Sequence, residues 1–383
     1  MKSNFSYELL IIGGGISACV FASKYLQNNL TKKIALIEFG RGFGGRSSTR
    51  LSKRFRGWKL NHGAPSFNIS NSKNNPLLKN YINELLENKF IKNDDSELIF
   101  LGDEHKIENI KKSEFYLGDN YLSSFYMNEL SQKIIGSNNL RAKIDLFFET
   151  LIVDLRFNND EWTLTSMNGD KFKSKYLICT SNLLLHKRSL KIFNINQIPL
   201  RKAIPQNKDK KIDLLLNFLD KQLFIPRLTF LIYTNKNYRY KDFYSKKYRY
   251  FHLKKSLEKK YKFERIIFQL QNNNKIGIVV HTKNSDFINS YIKSNDEEYL
   301  KQKIFKNFNE LFSKNNSVNQ LTYNEGFSIM HWRASQPSGC AVPLSLQLST
   351  KYRIGFCGDW FEGEGFGRIE GSILSALLLA EKI

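Results

Sequence analysis

The run Leu9-Leu10-Ile11-Ile12 leads straight into Gly13-Gly14-Gly15-Ile16-Ser17-Ala18, and this junction constrains the fold more than any other stretch. An unbroken series of large aliphatic side chains is the pattern of a strand buried on both faces of a parallel sheet. An amphipathic helical pattern then continues to about Leu30, and Ile34-Ala35-Leu36-Ile37-Glu38 reads as a second buried strand. Strand, helix and strand at these lengths predict a βαβ unit. The glycines fall as Gly13-x-Gly15-x-x-Ala18, the spacing of a dinucleotide-binding turn. Gly13 permits the tight turn, Gly15 lets bare backbone approach a pyrophosphate, and Ala18 keeps the helix close to the strand. The free N–H groups at the helix start, around Ile16 and Ser17, favour phosphate together with the helix dipole. Glu38 ends the second strand 20 residues past Ala18, where a carboxylate can accept hydrogen bonds from an adenosine ribose.

The next segment narrows the dinucleotide. Phe39-Gly40-Arg41-Gly42-Phe43-Gly44-Gly45-Arg46-Ser47-Ser48-Thr49-Arg50 follows Glu38 directly. Its glycine pair brings backbone to the ligand and Arg46 adds positive charge near a diphosphate. The run resembles the R-x-x-x-G-G-R-x-[ST]-[ST]-R continuation of FAD enzymes of the amine-oxidase superfamily, most closely the renalase-like flavoproteins. That resemblance implies an α/β fold of the p-hydroxybenzoate hydroxylase and amine-oxidase kind. A Rossmann-type FAD-binding domain, with helices on both faces of a parallel sheet, would carry an inserted α+β substrate domain.

Further matches to this family are spread along the chain. Asn61-His62-Gly63-Ala64-Pro65-Ser66-Phe67 is similar to a segment beside the isoalloxazine ring, with Asn61 in place of the usual acid and Pro65-Ser66 in place of Gln-aromatic. Residues 118–155 resemble the helix and strand that return to the cofactor domain, where Ile152 would offer its backbone to the adenine. Glu161–Thr165 and Phe172–Cys179 read as a hairpin and a buried strand. Met330-His331-Trp332-Arg333-Ala334-Ser335-Gln336-Pro337 resembles the crossover out of the insertion, with Trp332 and Arg333 matching. Gly358-Asp359 and Arg368-Ile369-Glu370 resemble the last turn and the helix whose start meets the flavin. Asp359 would serve the ribityl chain or the diphosphate. Ser338-Gly339-Cys340 is faintly similar to a cysteine that tethers flavin in some relatives, but a packed thiol and non-covalent FAD are expected. The expected partition is a discontinuous FAD-binding domain of residues 1–75, 141–185 and 338–383, with 76–140 and 186–337 forming the substrate domain. In the insertion, strand-like patches fall at Leu228–Tyr233, Ile266–Leu270 and Ile276–His281, and a helical stretch at Glu297–Phe312.

Composition excludes more than it selects. No stretch approaches the ~20 apolar residues of a membrane span, and no secretory signal is read at the start, so a cytoplasmic protein is expected. Cys19, Cys179, Cys340 and Cys357 lie far apart, as buried thiols of a reducing compartment do. The histidines show no metal-ligand spacing, so no metal site is expected. Fifty-nine basic against 36 acidic residues leave a charge of +23. The excess is spread along the chain and rises together with Asn, Ile, Phe and Tyr, which argues for coding composition and against a nucleic-acid partner. Its densest stretches are Lys236–Lys262 and Lys208–Lys211.

The resemblance implies hydride transfer from a small donor, dihydronicotinamide or amine, to flavin N5, with oxygen or another acceptor reoxidising it. His62, Trp332 and Arg333 are the candidate substrate-side residues, and no catalytic base is assigned. A polyene desaturase or isomerase of the same superfamily and a flavin-containing RNA- or anion-binding protein are the alternative readings. Donor, acceptor and oligomeric state are not specified.

Overall fold

A computed structural model describes residues 4–383 apart from 30, 71–74, 103–106, 235–247, 272–274 and 314–319. The apolar run is β1 (Asn4–Ile12), followed by α1 (Ile16–Asn28) and β2 (Ile34–Ile37). β1 lies parallel to β2, with Leu9 opposite Ile34, and parallel to β9 (Lys171–Cys179), with Ile11 opposite Ile178. β6 (Ile144–Phe147) extends the sheet beyond β2, and β15 (Ile354–Phe356) pairs in parallel with the second half of β9. The first half of β9 pairs antiparallel with β8 (Glu161–Ser166), which forms a hairpin with β7 (Ile152–Asn158). Leu9, Leu10, Ile11, Leu36, Leu177 and Ile178 are fully buried, each contributing about 1.5–3 kcal/mol through burial.

Both faces of such a sheet need helical cover. One face carries α1, α2 (Pro76–Glu87), α3 (Met127–Gly136) and α8 (Ile369–Ala380), whose Phe21, Leu78, Leu130 and Ala376 share one core. Asn75 caps α2 by accepting from the Leu78 N–H at 3.0 Å, and Pro76 sits at the first turn, where no N–H is needed. The other face is closed by α4 (Lys210–Lys221) and the residues before it, through Leu200, Ile204, Ile212, Leu215 and Leu219. The packing thus divides the stretches assigned by sequence to the substrate domain. α2, α3 and α4 complete the core of the nucleotide-side domain, and the strands at 97–111 and 222–339 build the second sheet.

That sheet runs β14 (Gly326–Gly339), β10 (Gln222–Tyr233), β13 (Ile276–Thr282), β12 (Arg265–Leu270), β11 (Tyr248–Leu253), β4 (Glu97–Leu101) and β5 (Ile107–Lys111). Alternation at period two sorts its faces. Phe230, Ile266, Phe268, Ile278 and Val280 pack on α5 (Lys255–Tyr261), α6 (Ser285–Ser294) and α7 (Glu297–Leu311). Leu231, Ile267 and Val279 face Trp58 and Leu60 of the nucleotide-side domain. The strands and helix anticipated in the insertion are β10, β12, β13 and α7. Residues 236–247 of the basic stretch Lys236–Lys262 lie outside the described residues, and the remainder forms β11 and α5. Lys208–Lys211 is the entry to α4, where Asp209 accepts from the N–H groups of Lys211 and Ile212 at 2.8 and 3.2 Å. Among the described residues no helix is long and apolar enough to cross a membrane.

Candidate functional site

The β1–α1 turn opens onto a cavity of about 810 Å³ that reaches from the parallel sheet to the second sheet. Gly13 has φ +115°, and a Cβ there would collide with the Thr180 hydroxyl. Gly15 has open space where a Cβ would stand. Gly44 and Gly45 fold back onto this turn with φ of 116° and 53°. The Gly44 N–H donates to the Gly14 carbonyl at 2.9 Å, and a Cβ on Gly45 would lie 3.3 Å from the Gly15 Cα. Glycine at these places lets two backbone segments meet and leaves them bare. Ile16 and Ser17 line the cavity, and α1 has no side-chain cap, so the unsatisfied N–H groups of a helix start are available there. Ala18 is fully buried behind them.

Glu38 reaches across the turn, accepting from the Gly14 N–H at 2.6 Å and the Gly40 N–H at 2.5 Å. Burial raises its pKa above the ordinary carboxylate value, and the two backbone donors work against that. Each of its oxygens keeps a further lone pair for a ligand hydroxyl. Phe39 lines the cavity, whereas Arg41 is exposed and lies outside the lining. Arg46 pairs with the buried Asp359 at 2.5 Å, joining segments 313 residues apart. Gly63 must be glycine because a Cβ would meet the Arg46 carbonyl, to which the Ala64 N–H donates at 3.1 Å. Ile152, at the start of β7, lines the opposite side, as do Arg368 and Ile369 at the uncapped start of α8. Gly358 and Glu370, expected as cofactor contacts, lie behind this wall. Gly358 donates its N–H to Ser375 Oγ at 2.9 Å. The Glu370 carboxylate accepts from the Ser70 N–H and hydroxyl at 3.0 and 2.8 Å and pairs with Arg368 at 2.9 Å, fixing the helix start.

On the far side, His62 is buried and stacks on Trp332, with ring centroids 5.2 Å apart and planes at 28°. Burial, aided by the Arg50 charge, lowers the His62 pKa to about 4, so the ring is neutral near pH 7. Trp332 donates to Thr229 Oγ1 at 3.1 Å. Strand register aligns Arg265, His281, Thr229 and Met330 in one row across β12, β13, β10 and β14, and all of them line the cavity. Arg333, expected beside Trp332 in the site, is exposed and outside the lining. Successive residues of β14 point to opposite faces, and Trp332 takes the inward one. Lys112, Tyr116, Arg188, Arg227 and Tyr250 also line the cavity and escaped sequence reasoning. Lys112 is buried against Asp94 and lies 3.7 Å from the Tyr250 ring centroid. Arg227 holds Glu264 in a fork at 2.9 and 2.9 Å. The available signal was polarity inside apolar strands, as in Arg265-Ile266-Ile267-Phe268-Gln269 and Ile278-Val279-Val280-His281.

A profile for an NAD(P)-binding Rossmann-like domain matches residues 11–85. No curated protein matches the chain in sequence. In three dimensions it is similar to a protein assigned as a protoporphyrinogen oxidase from Exiguobacterium sp. 255-15, with a TM-score of 0.64 and 10% identity over 100% of this chain and 99% of that one. It is also similar to putrescine oxidase bound to putrescine, with a TM-score of 0.63 and 10% identity over 99% of each chain. A redesigned variant of putrescine oxidase gives a TM-score of 0.62 at 11% identity. Identity this low establishes architecture and leaves chemistry to the site. The chain therefore contains a dinucleotide-binding Rossmann-like domain and has the overall fold of these oxidases.

Proposed function

We propose that the protein is an FAD-dependent oxidoreductase that holds FAD without a covalent bond and oxidises a small organic donor, dihydronicotinamide or amine. The observation that carries this reading is one continuous cavity whose walls come from the glycine turn, the Gly44-Gly45-Arg46 segment, the start of α8 and the polar row of the second sheet. The residues fit the cofactor. Gly13, Gly15, Gly44 and Gly45 offer bare backbone to a diphosphate, with Arg46 and Arg188 supplying positive charge. Glu38 would take the adenosine ribose, Ile152 the adenine, and the free N–H groups of the helix start at Ile369 the flavin edge that gains negative charge on reduction. FAD, when bound, supplies the redox chemistry and passes electrons to oxygen or another acceptor. Cys340 does not line the cavity, which supports non-covalent attachment.

The chain's own part is to bind, orient and exclude water. The His62–Trp332 stack forms a flat wall, and neutral His62 can hold a proton at only one ring nitrogen. A donor that arrives in its reactive form needs no acid–base relay, and none is assigned. The charged second-sheet wall of Lys112, Arg227 and Arg265 argues against an apolar polyene as substrate. The purified protein is expected to be yellow, to release FAD on denaturation, and to bleach anaerobically with one member of a panel of amines, dihydronicotinamides and polyenes. Folded protein that is colourless and refuses added FAD would overturn the reading; bleaching by polyenes alone would replace the donor class.

A further inference from the structure

We infer that the donor is an anion carrying a carboxylate on a flat or apolar body, and that Arg265 recognises the carboxylate; this rests on the flavin reading above. The cations around the cavity sort by what already neutralises them. Arg46 has Asp359, Lys112 has Asp94, Arg227 has Glu264 and Arg368 has Glu370. Two arginines lack a carboxylate partner among the described residues. Arg188 is occupied: it donates to Asn182 Oδ1 at 2.8 Å and lies 3.9 Å from the Phe224 ring centroid. The charge of neighbouring Arg46 acts on it, second only to burial in lowering its pKa, which puts it toward the diphosphate end.

Arg265 is different. Among the described residues, its one side-chain hydrogen bond runs from Nε to His281 Nδ1 at 2.8 Å. That bond makes Nδ1 an acceptor, and burial keeps the His281 pKa well below the ordinary histidine value, so His281 orients the guanidinium without neutralising it. Glu264, its chain neighbour, is held by Arg227 on both oxygens. Both terminal nitrogens of Arg265 are left without a hydrogen-bond partner among the described residues, on a side chain that lines the cavity. Glu264 acts on this half-buried guanidinium only through its charge and takes no hydrogen bond from it, and the two parallel donors that are left match a carboxylate in a fork. Tyr116, Tyr250 and Trp332, all in the cavity wall, supply flat surfaces for the body of the ligand.

Benzoate and its uncharged isostere benzamide test the assignment on the protein as isolated, by titration calorimetry and by the shift of the flavin absorbance band. Benzoate should bind at least roughly tenfold tighter than benzamide, as loss of one charge-assisted fork predicts. Arg265→Met should abolish that preference while leaving benzamide affinity and flavin content unchanged, and Arg265→Lys should restore part of it. Equal affinity for the two probes, no binding of benzoate, or benzoate affinity unchanged in Arg265→Met overturns the proposal. If Arg265→Met does not fold, the two probes on the natural protein and on Arg265→Lys still decide it. Calorimetry needs no flavin: colourless protein that prefers benzoate through Arg265 refutes only the cofactor, and yellow protein indifferent to Arg265 refutes only the carboxylate.

Discussion

At the residue, burial sets charge state. Unfolded, His62 titrates near 6.5; folded, it titrates near 4. Between those values the unfolded chain binds the extra proton, so stability increases with pH across the window and is lost on acidification from 6.5 towards 4. The His62 share amounts to roughly 3 kcal/mol at the acid end. His252, also lowered to about 4 by burial, acts in the same window. Urea unfolding at a series of pH values should show this slope, and His62→Gln should flatten it in part; an unchanged slope would contradict the neutral ring. Glu38→Ala removes the acceptor for two backbone N–H groups and should cost about 1–3 kcal/mol. It should also lower the flavin content of purified protein, and a variant that purifies equally yellow would contradict its ribose role. From sequence, Glu38 is singled out by the strand that it ends and His62 by the family resemblance of its segment. Arg333 was misread because the parity of β14 follows from pairing with β10, where a register shift falls between Ile225 and Arg227.

Elements meet through backbone mimicry. On β12 the inward residue after Ile267 is Gln269, Gln271 follows just past the end of the strand, and the two amides run along the edge of β3 (Lys59–Asn61). Gln269 accepts from the Asn61 N–H at 2.9 Å and donates to the Asn61 carbonyl at 2.7 Å, while Gln271 accepts from the Lys59 N–H at 3.1 Å. These contacts seat β3 against the second sheet immediately before His62. Gln269→Leu leaves a buried N–H and a buried carbonyl unsatisfied and should cost about 2–4 kcal/mol in denaturant midpoint. It should also perturb the flavin spectrum more than the flavin content, since it disturbs the His62 side of the cavity; a variant as stable as the parent would show that water replaces the amide. The strands themselves were readable as apolar runs. Which polar residue on them turns inward was not, because that depends on strands far apart in sequence.

For the molecule as a whole, the cavity draws its walls from residues 12–68, 112–120, 150–192 and 359–372 together with the second sheet. A ligand that bridges all of these stabilises the native state by mass action, about 2.7 kcal/mol at a hundredfold excess over Kd. Stripping the flavin should therefore lower the unfolding temperature, and added FAD should restore it in a concentration-dependent way; an unfolding temperature indifferent to FAD would place the cofactor elsewhere. Of the 59 basic residues behind the net charge of +23, Arg46, Lys112, Arg188, Arg227, Arg265 and Arg368 line the cavity. Many of the basic residues pair on the surface, as Lys33 does with Asp145 at 2.9 Å and Lys254 with Glu108 at 2.9 Å.

Local chemistry was enough for the nucleotide half of the protein. A buried strand, a glycine turn, an amphipathic helix and a terminal acid are each specified within a few residues, since backbone freedom, period and capping act over single turns. Tertiary structure alone decided the other half: that α2, α3 and α4 cover the parallel sheet, that Trp332 rather than Arg333 faces the cavity, and that Arg265 stands there with no carboxylate hydrogen-bonded to it among the described residues. Those outcomes depend on strand register and on which faces need cover, and both follow from contacts between segments that no local pattern encodes.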